Sequence, residues 1–531
     1  MARTGNFDLN FPGAHIVCDT LDKRKALQLF LTGESNSFEI PLCNNKESDL
    51  ERAIFNTTYI HEGKHLHDHL LCPQLVHNYV LKLTALFYST LAINEWNNGN
   101  RPYKCIPVPF TKWIELPEDK KKELLEDDDI LSTDVPMFSL KDAASVLSGE
   151  MECDNTFTKF ILLAALHYSE YRYNINQPSY DGYNTELSIR AFTESSAYVQ
   201  QVTEIALKYG NYGESLQHII LDDSFKHFQK LGKQQRENGI PVQPKDYIGY
   251  SIYTSAFTMI WRYAIQSKIS SEHIYPFISY LLFWALSGNV LEGNKDANYP
   301  RNRLERLFNL DYMGIDLELS KETKMQKLFN TPLETFKQWD YYIATAYAGK
   351  NMFSLSQASS FSLNANSTPI DLNDFYDKLL GNLAQMIQYI GSLGFSEIAN
   401  YMYNIANSCF YMKKQFTENP SLYLLPYNYS KNLHDYVNVP FAIDFVGVKP
   451  IFKNECVKVR DGIDFVCNRV YGNSLNDSAF SALMPILDWH LYVNASKYID
   501  FSDALLGESK LDVPGDLIKE FLPGIETWFY S

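Results

Sequence analysis

Apolar residues alternate with polar ones in two short runs near the start of the chain, AHIVC and FEIPL within residues 13–43, and both patterns predict strands. From Asp49 onward the apolar positions recur every three to four residues instead. That spacing predicts helices over 49–71, 75–94, 140–148, 156–174, 186–208, 248–267 and 273–287. Several of these are apolar around much of their circumference, which implies a thick, mostly helical body. The first helix carries its own end signals. Ser48 and Glu51 form a capping-box pattern, SDLE, at its start, and Pro73 halts it just after Leu71. The fifth begins near Thr185 and ends at Gly210.

Between the helices, residues 115–134 are highly charged and predict a solvated loop or a short surface helix. Residues 231–246 have the composition of an exposed loop. The Ser/Asn/Gln-rich stretch 354–369 marks a linker or surface excursion, followed by helices near 372–390 and 395–414 and mixed strand character around 438–472. The expected fold class is therefore α+β, predominantly helical, with one region over residues 1–353 and a helical, partly β region over 370–531.

Composition narrows the function. A formal net charge of −16 repels phosphate backbones, so nucleic acid is not an expected partner. The eight cysteines contain no CxxC pair, which removes zinc-ribbon and dithiol redox motifs and fits thiols in a reducing compartment. Cys456 and Cys467 could bridge a hairpin, but the same compartment argument disfavours it. The most apolar stretch, Ile274 to Val290, is interrupted by Ser279, Tyr280 and Ser287, so no membrane span is expected. With no secretory signal in MARTGNFDLNFPG, a cytoplasmic protein is expected. Nothing in the pattern fixes an oligomeric state. The strings GxGxxG, GxxxxGK[ST] and GxSxG are absent, which withdraws support from dinucleotide, P-loop and α/β-hydrolase chemistry.

The chemistry lies in the first helix. Four of the twelve histidines, His61, His65, His67 and His69, fall within nine residues, and two of them frame HEGKH. On a helix, residues four apart share a face, so His61 and His65 can hold one metal ion through neutral imidazole nitrogens. Glu62 points about 100° away, where its carboxylate reaches a metal-coordinated water rather than the metal. Leu50, Ile54, His61, His65, Asp68 and Cys72 fall on one stripe of the helical wheel, which places the motif on a buried face. Asp68 is a second partner or an alternative ligand. A helix whose histidines merely make ordinary hydrogen bonds is the competing explanation.

The segment TTYIHEGKHLHDH resembles the active-site helix of the zincin metallopeptidases. The likeness is local, and it has two departures: Lys64 stands where an uncharged residue is expected, and His67 replaces a hydrophobic one. The metzincin extension is missing, since Asp68 occupies its glycine position and Leu71 its third histidine. That leaves the gluzincin arrangement, in which a glutamate from a later helix completes the site. The resemblance implies zinc as cofactor and a peptide or protein as substrate, with Glu62 as general base. In AFTESSAYVQQ, Glu194 shares a face with Leu187, Ala191, Tyr198 and Ile205, and ESSA resembles the glutamate-x-x-small pattern of gluzincin third-ligand helices. A carboxylate on such a face needs a partner: a zinc ion, or Arg190 four residues earlier. Glu150, Glu152, Glu170 and Asp68 compete for the same role. Tyr198, one turn from Glu194, is a candidate donor to a developing oxyanion. His167 and Glu170, spaced HxxE, have no matching motif for a di-iron bundle and are expected to be core packing and surface respectively.

Overall fold

In the computed structural model the chain begins with two antiparallel strands, β1 (Gly5–Asp8) and β2 (Gly13–Cys18), and then turns helical. The structure describes residues 5–8, 13–31, 34–35, 38–108, 110–176, 187–238, 254–266, 274–288, 299–304, 372–418, 420–433, 436–437, 439, 441–445, 448, 456–459, 463–470 and 522–529. The linker expected over 354–369 lies outside them. The helices of the first stretch are α1 (Leu21–Leu31), α2 (Lys46–Asn56), α3 (Thr58–Leu71), α4 (Pro73–Asn97), α5 (Phe110–Glu115), α6 (Glu118–Asp127), α7 (Leu140–Ser148), α8 (Thr156–Asn176), α9 (Ile189–Asn238), α10 (Ser255–Gln266) and α11 (Ile274–Leu286). Strand β3 (Cys105–Val108) follows α4. Later come α12 (Leu372–Ser392), α13 (Ser396–Glu418), α14 (Pro420–Leu424), α15 (Pro426–Lys431), β4 (Phe441–Phe445), β5 (Cys456–Val459), β6 (Ile463–Val470) and β7 (Glu526–Phe529). The described chain is predominantly helical, as the periodicity implies.

Local chemistry corrects several boundaries. The helix expected over 49–71 is two helices, because Thr57 and Thr58 turn their hydroxyls back on the preceding turn. Thr57 Oγ1 donates to Ala53 O at 2.8 Å and Thr58 Oγ1 to Ile54 O at 3.0 Å. Thr57 leaves the helical region at φ −111°, ψ 4°. This back-bonding competes with the helical ladder and redirects the chain between α2 and α3. The cap of α2 is also different from the SDLE pattern. The Asn45 side chain accepts from the amides of Glu47 and Ser48, so the helix opens at Lys46. Pro73 does end α3, by occupying the first turn of α4, where its missing N–H costs nothing.

FEIPL is not a strand. The backbone of Ile40 is paired with a side chain: the Asn56 carboxamide accepts from Ile40 N at 2.8 Å and donates to Ile40 O at 2.9 Å. Asn56 also donates to the Tyr209 hydroxyl at 2.8 Å, which ties α2 to α9. Gly210 breaks α9 as expected, at φ 54°, ψ −137°, but the chain resumes helical geometry beyond it. The turn is tight enough that a Cβ on Gly213 would run into the Ile205 carbonyl. Because this second arm continues to Asn238, the first half of the loop expected over 231–246 is helical. The charged stretch 115–134 holds the short surface helix α6, anchored by buried Lys121 and Leu125.

The main sheet has the order β1-β2-β4-β6-β5. β2, β4 and β6 are parallel, and β1 and β5 run antiparallel at its two edges. Strands from either side of residues 354–369 therefore share one sheet. β3 and β7 form a second, parallel pair. Cys456 and Cys467 are backbone partners across β5 and β6. Cys18, Cys43, Cys72, Cys105, Cys153 and Cys409 are free. No helix among the described residues is long and apolar enough to cross a membrane.

α3 lies at the centre, against β1, β2, α4, α9 and α13. A smaller core around Trp96, Trp113, Phe157 and Trp528 joins α4, α5, α8 and β7. Replacing Asn56 by leucine removes its three hydrogen bonds at once. Unfolding in urea is expected to show a loss of about 2–3 kcal/mol, and an unchanged midpoint would contradict the role given to this side chain.

Candidate metal centre

α3 is buried along almost its whole length. Of its residues only Tyr59 is not buried, while His61, Glu62, Lys64, His65, His67, Asp68 and His69 all are. Charged and polar groups removed from water need partners nearby. They separate into two faces.

The first face carries His61, Glu62 and His65. One donor atom from each lies within 4.8 Å of the others, so this group could hold a metal ion. The imidazole rings of His61 and His65 stand edge to face, with centroids 5.0 Å apart. Across from them, α9 delivers Glu194. Its Oε2 lies 3.6 Å from His61 Nε2 and 3.2 Å from His65 Nε2. Its Oε1 faces Arg190 Nε at 3.6 Å. Of the partners expected for this carboxylate, Arg190 faces one oxygen, and the two imidazoles face the other. Arg190 is nearly half exposed and the imidazoles are buried, so the contact with the histidines is far less screened by water.

The two distances from Glu194 are of the size expected between ligands of one ion. Ligand atoms around a four-coordinate zinc with bonds of about 2.0–2.2 Å sit about 3.3 Å apart. The separations from Glu194 to the two histidines bracket that value. His61 Nδ1 is buried with no hydrogen-bond partner among the described residues. A site so built, two neutral nitrogens and one carboxylate, matches the donor chemistry of zinc and of other first-row divalent metals.

Electrostatics couple the three groups. Burial draws the pKa of His65 down, but the charge and hydrogen bond of Glu194 outweigh it and raise it above the ordinary 6.5. Burial pushes Glu194 up, and the imidazoles, His65 first, outweigh that and hold it well below 4.5.

The other candidates stand elsewhere. Asp68 Oδ1 accepts from Lys64 Nζ at 2.8 Å and from the Tyr423 hydroxyl, on the second face of α3. Glu150 and Glu152 are exposed beyond α7, and Glu170 is half-buried on α8. His167 stacks flat on Tyr88 at 5.6 Å, as expected of core packing. Tyr198 is buried one turn past Glu194, with its ring edge-on to Phe257 at 5.0 Å. His69 donates from Nδ1 to the His65 carbonyl at 2.7 Å, and burial pushes its pKa down to about 4.

The second face has no signature in the local sequence pattern. There Lys64 sits 3.5 Å from the centroid of the Tyr423 ring and 5.0 Å from that of Tyr429. Burial and the Asp68 charge keep the Tyr423 hydroxyl protonated. His67, pushed down to about 4 mainly by burial, is neutral. A carbonyl can only accept, so His67 donates from Nε2 to Val437 O at 2.7 Å, and its Nδ1 accepts from the Tyr429 hydroxyl at 2.6 Å.

Comparison with protein-family models, with curated proteins and with solved structures returns no match.

The pH dependence of the metal-free protein follows from the two shifts. The contribution of His65 is complete below 6.5 and is lost as pH rises past its raised folded value; that of Glu194 is complete above 4.5 and is lost as pH falls towards its lowered one. Thermal unfolding of metal-free wild type and Glu194→Gln should therefore differ most between pH 4.5 and 6.5, with the gap closing in more alkaline buffer. A gap independent of pH would contradict the coupling.

Proposed function

We propose that the chain is a zinc-dependent peptidase of gluzincin-like design, with His61, His65 and Glu194 as ligands and Glu62 as general base. The observation that carries this reading is the approach of both histidine Nε2 atoms to one oxygen of Glu194, with a carboxylate oxygen of Glu62 within 4.8 Å of a donor nitrogen of each histidine. When bound, zinc supplies Lewis-acid chemistry, lowering the pKa of a coordinated water towards 7 and polarising a carbonyl.

The chain's own groups supply the rest. His61 and His65 present neutral nitrogens from one helical face, and Glu194 contributes a negative charge that offsets half that of a divalent cation. Glu62, next to His61 and buried, accepts a proton from the attacking water and hands it to the departing amine. Burial of all four side chains keeps bulk water away and strengthens their interactions. The strand β1 packs against α3 and, among the described residues, forms an edge of the sheet. An extended peptide could align there by strand addition.

A second reading has its own support. His65 and Glu194 satisfy each other without an ion, so the trio could be a buried ionic lock in a non-enzymatic helical protein. Metal content and hydrolysis separate the two. Purified wild type is expected to hold about one equivalent of zinc, and His61→Ala less than about a tenth. Glu62→Gln should keep the metal and lose about 10²- to 10⁴-fold in peptide hydrolysis. Wild type that takes up no zinc supports the ionic lock. Iron with oxidase activity would assign a different metalloenzyme.

A further inference from the structure

The two departures from the zincin pattern, Lys64 and His67, point to a second role for the segment that follows α13. Both reach into it. Lys64 and Asp68 form a buried pair capped by Tyr423 of α14. His67 is held at both nitrogens, by Tyr429 of α15 and by Val437 beyond it. On the same side Tyr59 donates to Val439 O at 2.8 Å. Gly63 lets that residue come close: a Cβ there would lie 3.3 Å from Val439 Cγ2.

The same segment also grips α9. Gln200, buried six residues beyond Glu194, donates from Nε2 to the Pro426 carbonyl at 2.9 Å and to the Ser430 hydroxyl. The last two residues lie at the start and end of α15. One short stretch of chain is therefore hydrogen-bonded to the helix bearing His61 and His65 and to the helix bearing Glu194.

We infer that α14, α15, Val437 and Val439 form a bracket that sets the spacing of α3 and α9, so that Tyr423, His67 and Gln200 are positioning residues for the metal trio. This rests on the proposed metal site but has a physical content of its own. Van der Waals packing alone lets two helices slide by fractions of an ångström, whereas hydrogen bonds from buried groups to a shared third element fix their register. A ligand set tolerates little such sliding, and groups that orient ligands commonly matter about 10- to 100-fold in metal affinity. Lys64 is then no flaw in the motif. Its charge is neutralised by Asp68 and its ammonium is covered by Tyr423, which gives a buried lysine a reason to stand next to a metal ligand.

The test uses full-length protein and two mild variants, Gln200→Leu and Tyr423→Phe. The second retains the ring over Lys64 and removes only the hydroxyl on Asp68. Leu125→Ala, in the separate core on α6, serves as a control for general loss of stability. Hydrogen exchange on metal-free protein and transfer of zinc to a chelator are measured for each. Both bracket variants are expected to exchange amides of α3 and the first arm of α9 faster and to release zinc about 10-fold faster than wild type. The control should lower the unfolding midpoint yet leave both quantities near wild type. If the bracket variants behave like the control in both, the proposal is overturned. Faster exchange in a protein that never takes up zinc would remove the metal assignment and keep the bracket. Normal zinc uptake with control-like exchange and release would do the reverse.

Discussion

A side chain that can carry charge must find a partner when it leaves water, and α3 brings seven such side chains into the protein interior. Everything around this helix answers that demand. Glu194 comes from α9 to meet His61 and His65, Tyr423 comes from α14 to meet Asp68, and His67 takes a hydroxyl from α15 and a carbonyl from Val437. The core that encloses α3 is aromatic and aliphatic, so these few polar contacts act in a medium that screens them weakly. They fix which elements can lie beside it and at what register.

The two faces of α3 have different chemistry. On one, donors converge from two helices at the separation a small divalent cation needs. On the other, a lysine–aspartate pair is closed off by tyrosines. The helix thus links the candidate metal site to a distant part of the chain. Strand pairing tells the same story, since β4 lies between β2 and β6 and joins the first strands to the last stretch of sequence. The later chain is part of the frame in which the candidate site is held.

How much of this could be read beforehand depends on distance along the chain. The pairing of His61 with His65 is a matter of four residues on one helix, and HExxH announces it. Glu194 was legible because an acid on an apolar face is costly and the ESSA string suggested a close helix approach. The break at Thr57 was hidden: threonines fit a helical pattern until their hydroxyls choose the backbone. FEIPL alternates like a strand, but what decides its state is Asn56, a side chain that imitates a neighbouring strand. The burial of Lys64 was invisible because its partner Tyr423 follows hundreds of residues later, and charge patterning read locally assigns a lysine to solvent.

The most direct measurement of the central claim is X-ray absorption at the zinc edge on full-length protein loaded with one equivalent of metal. Ligation by His61, His65 and Glu194 predicts a first shell of nitrogen and oxygen only, at about 2.0–2.2 Å, with the outer scattering of two imidazole rings that vanishes for one ring in His65→Ala. A shell containing sulfur at about 2.3 Å, or oxygens alone without imidazole scattering, would mean that the metal sits elsewhere and that the three converging side chains are a buried ionic lock.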